Sequence, residues 1–322
     1  MKKIVALVLA ALMLLPVFAA CGTENAPETV RVYALKGPTG IGMAKMIADA
    51  ADDSASLYNF TIASAPDVIQ AEIIKGEYEI AAVPTNLAAA LYNKTEGALV
   101  VAAVNTLGVL YVLENGNTIQ SVTDLNGKQI YATGQGSTPE YILNYILETN
   151  GIECEVIYLT EHSELATQMT AGSVVLGMLP VPNSTTVLTK NPDVRVALNL
   201  TEEWEKAAAK NGDDGALYQG CLVIRREFAE QYPETVEKFL KEYSASVAYV
   251  NGDLEAAAET VAACEIIPSA AIAKKAIPDA NIVCITGEEM AKGLSGFFKV
   301  LYESNPKSVG GKLPDENIYY KK

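Results

Sequence analysis

Apolar and polar positions fall into short blocks that repeat one theme: an extended run, a glycine- or proline-rich break, then a helical run. Val30, Val32, Tyr33, Ala34 and Leu35 make 29–35 strand-like, Gly37-Pro38-Thr39-Gly40 breaks the run, and 41–51 reads as a helix. A second strand at 60–63 leads through Ser64-Ala65-Pro66-Asp67 into a helix over 68–74, with Asp67 as its N-cap and Gly76 as its stop. A third, 79–83, runs through Pro84-Thr85-Asn86 into an alanine-rich helix over 87–92. Three such units in a row predict an α/β domain on a mostly parallel sheet flanked by helices.

From 99 to 114 the chain is almost continuously β-prone, and the theme then restarts. A strand at 129–132 meets Thr133-Gly134-Gln135-Gly136-Ser137-Thr138-Pro139 before a helix over 140–147; a strand at 155–159, a helix at 163–171 and a strand at 174–179 follow, closed by Pro180-Val181-Pro182-Asn183. Past Gly220 comes a strand at 221–225, then Pro233 and a helix with Val236, Phe239, Leu240, Tyr243 and Val247 on one face. The remainder, 253–301, reads as largely helical. The restart predicts two lobes: 29–105 with 226–322, and 106–225 inserted between them, each a sheet with helices on its faces.

The N-terminus stands apart. Lys2 and Lys3 precede an apolar run from Ile4 to Ala20, broken by Pro16 and ending in small residues before Cys21. That is the build of a secretory signal peptide over 1–20, with 21–28 as a polar tether. Seventeen apolar residues with a proline near the end make a poor membrane span. Without this leader 302 of the 322 residues remain, more than one core usually holds, which agrees with two lobes. Half of all residues are hydrophobic and a fifth charged, so a soluble globular body is expected. Losing Lys2 and Lys3 takes the net charge from −15 to −17, which disfavours nucleic acid as a partner.

The candidate site follows from the breaks. In open α/β sheets ligands bind where strand C-termini pass into helices, because helix N-termini there present unpaired N–H groups and partial positive charge. Four breaks supply the candidate ligand-binding residues: Lys36, Gly37, Pro38, Thr39 and Gly40; Pro84, Thr85 and Asn86; Gly136, Ser137 and Thr138; Pro182 and Asn183. Taken singly, each is equally readable as an N-cap or turn former.

Other chemistries are excluded. Gly37 to Gly42 lacks the Lys-Ser/Thr of a P-loop and has the reverse of dinucleotide-fingerprint spacing. No G-x-S-x-G or H-E-x-x-H occurs, and His162, the one histidine, reads as a surface residue at a helix start, so no catalytic residue is assigned. Glu202-Glu203 and Asp213-Asp214 read as solvated charge, and Trp204 as core. Cys154, Cys221, Cys264 and Cys284 lack metal-ligand spacing, so neither metal nor cofactor is expected. They read as buried thiols or, in an exported chain, as disulfide partners; a single pair would be Cys264 with Cys284.

Four segments carry a resemblance over nearly all of the chain after the leader: Gly37-Pro-Thr-Gly, Gly76-Glu-Tyr-Glu-Ile-Ala-Ala-Val-Pro-Thr-Asn86, Gly134-Gln-Gly-Ser-Thr-Pro-Glu-Tyr141 and Asn305-Pro-Lys-Ser-Val-Gly-Gly-Lys-Leu-Pro-Asp315. With these the chain resembles the type II periplasmic, or extracytoplasmic, solute-binding proteins that serve alkanesulfonate, taurine, nitrate and thiamine-precursor importers. It departs in lacking a cysteine-rich stretch and in carrying Pro180-Val181-Pro182 where many relatives have Glu-Pro. The resemblance implies a two-lobed monomer that closes over a small organic solute and delivers it to an ABC permease and its ATPase, with hinge strands near 104–112 and 220–224. Cys21 follows the cut as in a lipobox, which implies a lipid anchor on the outer face of the cell membrane. An enzyme on the same fold and a ligand-sensing receptor partner are the alternatives.

Wall chemistry narrows the solute. Lys36 is the nearest fixed cation and no arginine occurs in these loops, which speaks against a phosphate dianion. The expectation is a small molecule with one sulfonate or carboxylate and an apolar or aromatic body packed on Tyr33 or Tyr131.

Overall fold

The computed structural model describes residues 26–64, 66–212 and 216–321. The leader, Cys21, the start of the tether, Ala65 and Asp213-Asp214 lie outside the described residues. A first sheet contains β1 (Val30–Leu35), β2 (Tyr58–Ala63), β3 (Ile80–Pro84), β4 (Leu99–Thr106), β10 (Gly220–Arg225) and β11 (Ile282–Ile285), and a second contains β5 (Leu110–Asn115), β6 (Gln129–Thr133), β7 (Glu155–Leu159), β8 (Leu176–Pro180) and β9 (Val194–Asn199). The spatial orders are β11-β4-β10-β3-β1-β2 and β7-β6-β8-β5-β9.

The helices of the first half are α1 (Pro38–Ile41), α2 (Ala44–Asp52), α3 (Pro66–Lys75) and α4 (Thr85–Lys94). Those of the middle are α5 (Thr138–Asn150), α6 (His162–Thr170), α7 (Asn183–Lys190) and α8 (Leu200–Asn211). After β10 come α9 (Arg226–Gln231), α10 (Pro233–Gly252), α11 (Leu254–Ala263), α12 (Ala270–Ala276) and α13 (Gly287–Ser304).

Strand direction explains how the sheets share one edge. β1 pairs in parallel with β2 and β3, and β6 with β7 and β8, so each strand ends where its helix begins. The chain leaves the first sheet at the end of β4 and enters the second at the start of β5; a strand that begins at that edge must run the opposite way. β5 is accordingly antiparallel to β8 and β9, and the returning β10 is antiparallel to β3 and β4. The pairings are thus mixed, although most strands of each sheet point one way.

The pattern of burial follows position. All eight residues of β4, inside the first sheet, are buried, whereas the edge strand β2 alternates exposed and half-buried positions over most of its length. Trp204 of α8 is fully buried between Tyr145 of α5 and Phe297 of α13, with ring centroids 4.5 and 5.5 Å away. One apolar cluster runs through it from Val83 and Val104 of the first sheet to Val112 and Ile130 of the second.

Three expectations change. Asp67 lies inside the first turn of α3 instead of capping it, because the helix begins at Pro66. The stretch after 253 includes β11, a short edge strand among helices whose Ile282 pairs with Thr106. Cys154, Cys221, Cys264 and Cys284 are all free thiols, and Cys264 Sγ donates to Ala44 O at 3.5 Å instead of bridging to Cys284.

Candidate functional site

The cleft between the two sheets has a volume of about 720 Å³. Its wall holds Lys36, Gly37, Pro38 and Thr39 after β1, Pro84 at the end of β3, Ser137 and Thr138 after β6, and Pro182 and Asn183 after β8. Nine of the thirteen residues picked from the breaks therefore meet in one place. Gly40, Thr85, Asn86 and Gly136 do not line it, and each has a local reason.

Gly40 is buried, and a Cβ there would come within 2.0 Å of Leu35 O, so glycine permits a close backbone approach. Gly136 has φ +75° and its N–H is taken by the Glu140 carboxylate. Thr85 is fully buried at the start of α4, where its N–H donates to Gln219 O at 3.1 Å. Asn86 accepts from Thr138 Oγ1 at 2.6 Å and donates weakly to Ser308 O at 3.5 Å. That first bond joins a helix of the first sheet to a helix of the second.

Sequence reasoning missed several wall residues: Ser64, Glu161, His162, Gln219 and Glu265. His162 is not the surface residue expected. It is half-buried at the start of α6, and its Nδ1 lies 2.5 Å from Oγ1 of the fully buried Thr133. Burial holds its pKa below the ordinary imidazole value, and nearby Glu161 opposes the shift only in part. The signal was available: the break at 160–162 follows a strand and precedes a helix like the other four. Gln219 and Glu265 had no such signal, since one stands just before a strand and the other between two helices.

The wall has a definite chemistry. Proline and aliphatic side chains from Leu35, Val109, Leu110, Val181, Ile266 and Ile267 make its apolar part, and among the described residues His162 is its only ring besides proline. Tyr33 and Tyr131 do not line it; both pack against core clusters, so the expected aromatic platform is absent from this cleft. Lys36, Glu161 and Glu265 are exposed and form no ion pair among the described residues. Among the described residues, one cation and two carboxylates therefore face the space. Among the described residues no cluster of histidine, cysteine or acidic side chains could hold a metal ion, and no helix is long and apolar enough to cross a membrane.

Comparison with known proteins fits this geometry. Residues 68–257, more than half of the chain, match the model of the NMT1/THI5-like family. The chain belongs to that family. No curated protein sequence matches it. Among solved structures, this NMT1/THI5-like chain is similar to an ABC transporter protein from Parabacteroides distasonis, with 24% identity, TM-score 0.77 and 92% of this chain and 100% of that one covered. It is similar to the periplasmic aliphatic sulphonate binding protein SsuA from Escherichia coli (16%, TM-score 0.70, 92% of each chain). It is also similar to the periplasmic nitrate-binding protein NrtA from Synechocystis PCC 6803 (10%, TM-score 0.58, 90% and 87%). The fold is thus the two-lobed periplasmic-binding-protein type.

Proposed function

We propose that this chain is the solute-binding component of an ABC import system. It captures a small organic solute between closing lobes, 29–105 with 226–322 and 106–225, and passes it to a membrane permease driven by an ATPase. The observation that carries this reading is the cleft itself, lined from both sheets at the edge where strands give way to helices. Contacts available only when both walls meet let a solute stabilise the closed state, and a solute that met one wall alone would not shift that equilibrium. The family and the structural neighbours support the same role. The chain acts as an extracytoplasmic monomer held at the cell membrane by a lipid on Cys21.

A binder is favoured over an enzyme. Thr133, the hydroxyl nearest the imidazole of His162, is fully buried and cannot reach a solute. The nine wall residues from the breaks, joined by His162, Gln219, Glu161 and Glu265, form the binding surface. Lys36 suits one sulfonate or carboxylate, Glu161 and Glu265 suit an amine, and the proline-rich wall suits a short aliphatic body. The solute class is therefore a small amino acid-like or aminosulfonate zwitterion.

Thermal unfolding with taurine, ethanesulfonate, nitrate and inorganic phosphate tests this, with small-angle scattering alongside. Taurine should raise the midpoint most and compact the particle. Stabilisation by phosphate or metal ions and by none of the organic probes would overturn the reading.

A further inference from the structure

We infer that Gln219 donates a hydrogen bond to the solute and transmits its presence to the segment joining the two sheets; this rests on the solute-capture reading above. Gln219 lines the cleft yet is only 7% exposed. Its backbone N–H donates to Thr106 O at 3.0 Å, and its backbone C=O accepts from Thr85 N–H at 3.1 Å. Its Oε1 accepts from Val109 N–H at 2.6 Å. Only the side-chain NH₂ has no partner among the described residues.

The orientation of this amide is settled by its neighbour. Val109 N–H can only donate, so the oxygen must face it and the NH₂ must point elsewhere. Gln219 lines the cleft and its NH₂ is not among the buried groups left without a partner, so this donor is open to whatever fills the cleft. An oxygen of a carboxylate, sulfonate or carbonyl in the cleft can accept from it in place of water.

The far end of the same side chain holds the crossing segment. Residues 107–109 join β4 to β5, and the polar backbone groups from Thr106 to Val109 are fastened from two sides. Asn281 accepts from Leu107 N–H at 3.1 Å through its backbone oxygen and donates from Nδ2 to Gly108 O at 2.5 Å. Gln219 holds Thr106 O and Val109 N–H, and Val109 O accepts from Val181 N–H at 3.0 Å. Asn281 keeps φ at +44° to do this. Of the two clamping amides, Gln219 alone lines the cleft, so a solute drawn to its NH₂ acts on Val109 through one planar group.

The test uses the full chain, amide hydrogen exchange over 106–110, and taurine as probe. Gln219→Glu keeps an acceptor for Val109 N–H and loses the donor; Gln219→Met, of similar length, has neither and repeats the test should the glutamate variant not fold. Without probe, the methionine variant should exchange at Val109 about tenfold faster than the parent, a hydrogen bond's worth, while the glutamate variant stays protected. With taurine the parent should gain protection and thermal midpoint, and neither variant should.

Equal taurine responses in the parent and Gln219→Glu would overturn the donor role. Unchanged exchange at Val109 in Gln219→Met would overturn the tie to the crossing segment. Failure of taurine to shift the parent, with the probe-free difference intact, would instead refute the capture of a zwitterion and with it the donor role. The two failures are told apart because the probe-free arm needs no solute.

Discussion

The bond between Asn86 and Thr138 makes the most direct test of how the two halves are joined. Thr138 Oγ1 donates to Asn86 Oδ1 at 2.6 Å, and both residues are buried, at 1% and 5% exposure. Thr138→Val keeps the shape of the side chain and removes the donor, leaving Asn86 Oδ1 buried without its partner. An orphaned buried acceptor costs about 1–3 kcal/mol, more than the net worth of a typical hydrogen bond. Asn86→Ala leaves the converse orphan on Thr138 and also opens a small void.

The double variant removes both orphans, so its destabilisation should fall short of the sum of the singles by about 1–2 kcal/mol, within the range for contacting pairs. Urea unfolding of the four proteins measures this, provided the denaturant slope stays constant. Additivity within about 0.5 kcal/mol would show that the two residues do not act on each other, and would refute the claim that this bond joins the halves. The same cycle separates the two roles open to Asn86. A residue that served only to touch solute would weaken capture without coupling to Thr138.

Two further outcomes are expected. Trp204→Ala empties the space between Tyr145 and Phe297 and should cost about 3–5 kcal/mol by chemical denaturation, as large aromatic truncations in packed cores do; a loss under about 1 kcal/mol would mean that the cluster through it is not tightly packed. His162, whose pKa is lowered from 6.5 by burial, binds fewer protons in the folded than in the unfolded chain, so stability should fall as pH drops through and below that value. Unfolding midpoints at matched pH values from about 5 to 7 should show this slope flattened in His162→Gln, and identical slopes would refute the buried neutral imidazole.

How much of this was legible in the sequence depends on what kind of signal a residue leaves. β7 was read to the residue at 155–159, because its apolar run is bounded on both sides by polar breaks. The helix from Pro233 was legible because its five apolar positions share one face, and all five are buried. β11 was not, since four residues of an edge strand paired only with β4 leave too short a pattern among helical neighbours.

The candidate site divides along the same line. Lys36 to Thr39, Pro84, Ser137, Thr138, Pro182 and Asn183 meet at the cleft because strand direction brings every strand-to-helix break to a single edge, a consequence of topology that local pattern already encodes. Asn86 and Thr85 carry the same signal yet turn inward. The Asn86 amide oxygen and the Thr85 backbone N–H meet partners from distant segments, Thr138 and Gln219, and no local pattern reports a contact across more than fifty residues.

Gln219 is the reverse case. It stands at the start of a strand, where the rule for open sheets predicts nothing. It reaches the cleft because β10 is the strand that returns from the other half, running opposite to its neighbours, and so places its first residues at the edge where they place their last. A crossing strand thus presents its N-terminal end to the cleft. Residues just before β5 and β10 belong beside the strand-to-helix breaks in any reading of this fold, and Val109 and Gln219, which occupy those positions, are hydrogen-bonded to each other at 2.6 Å.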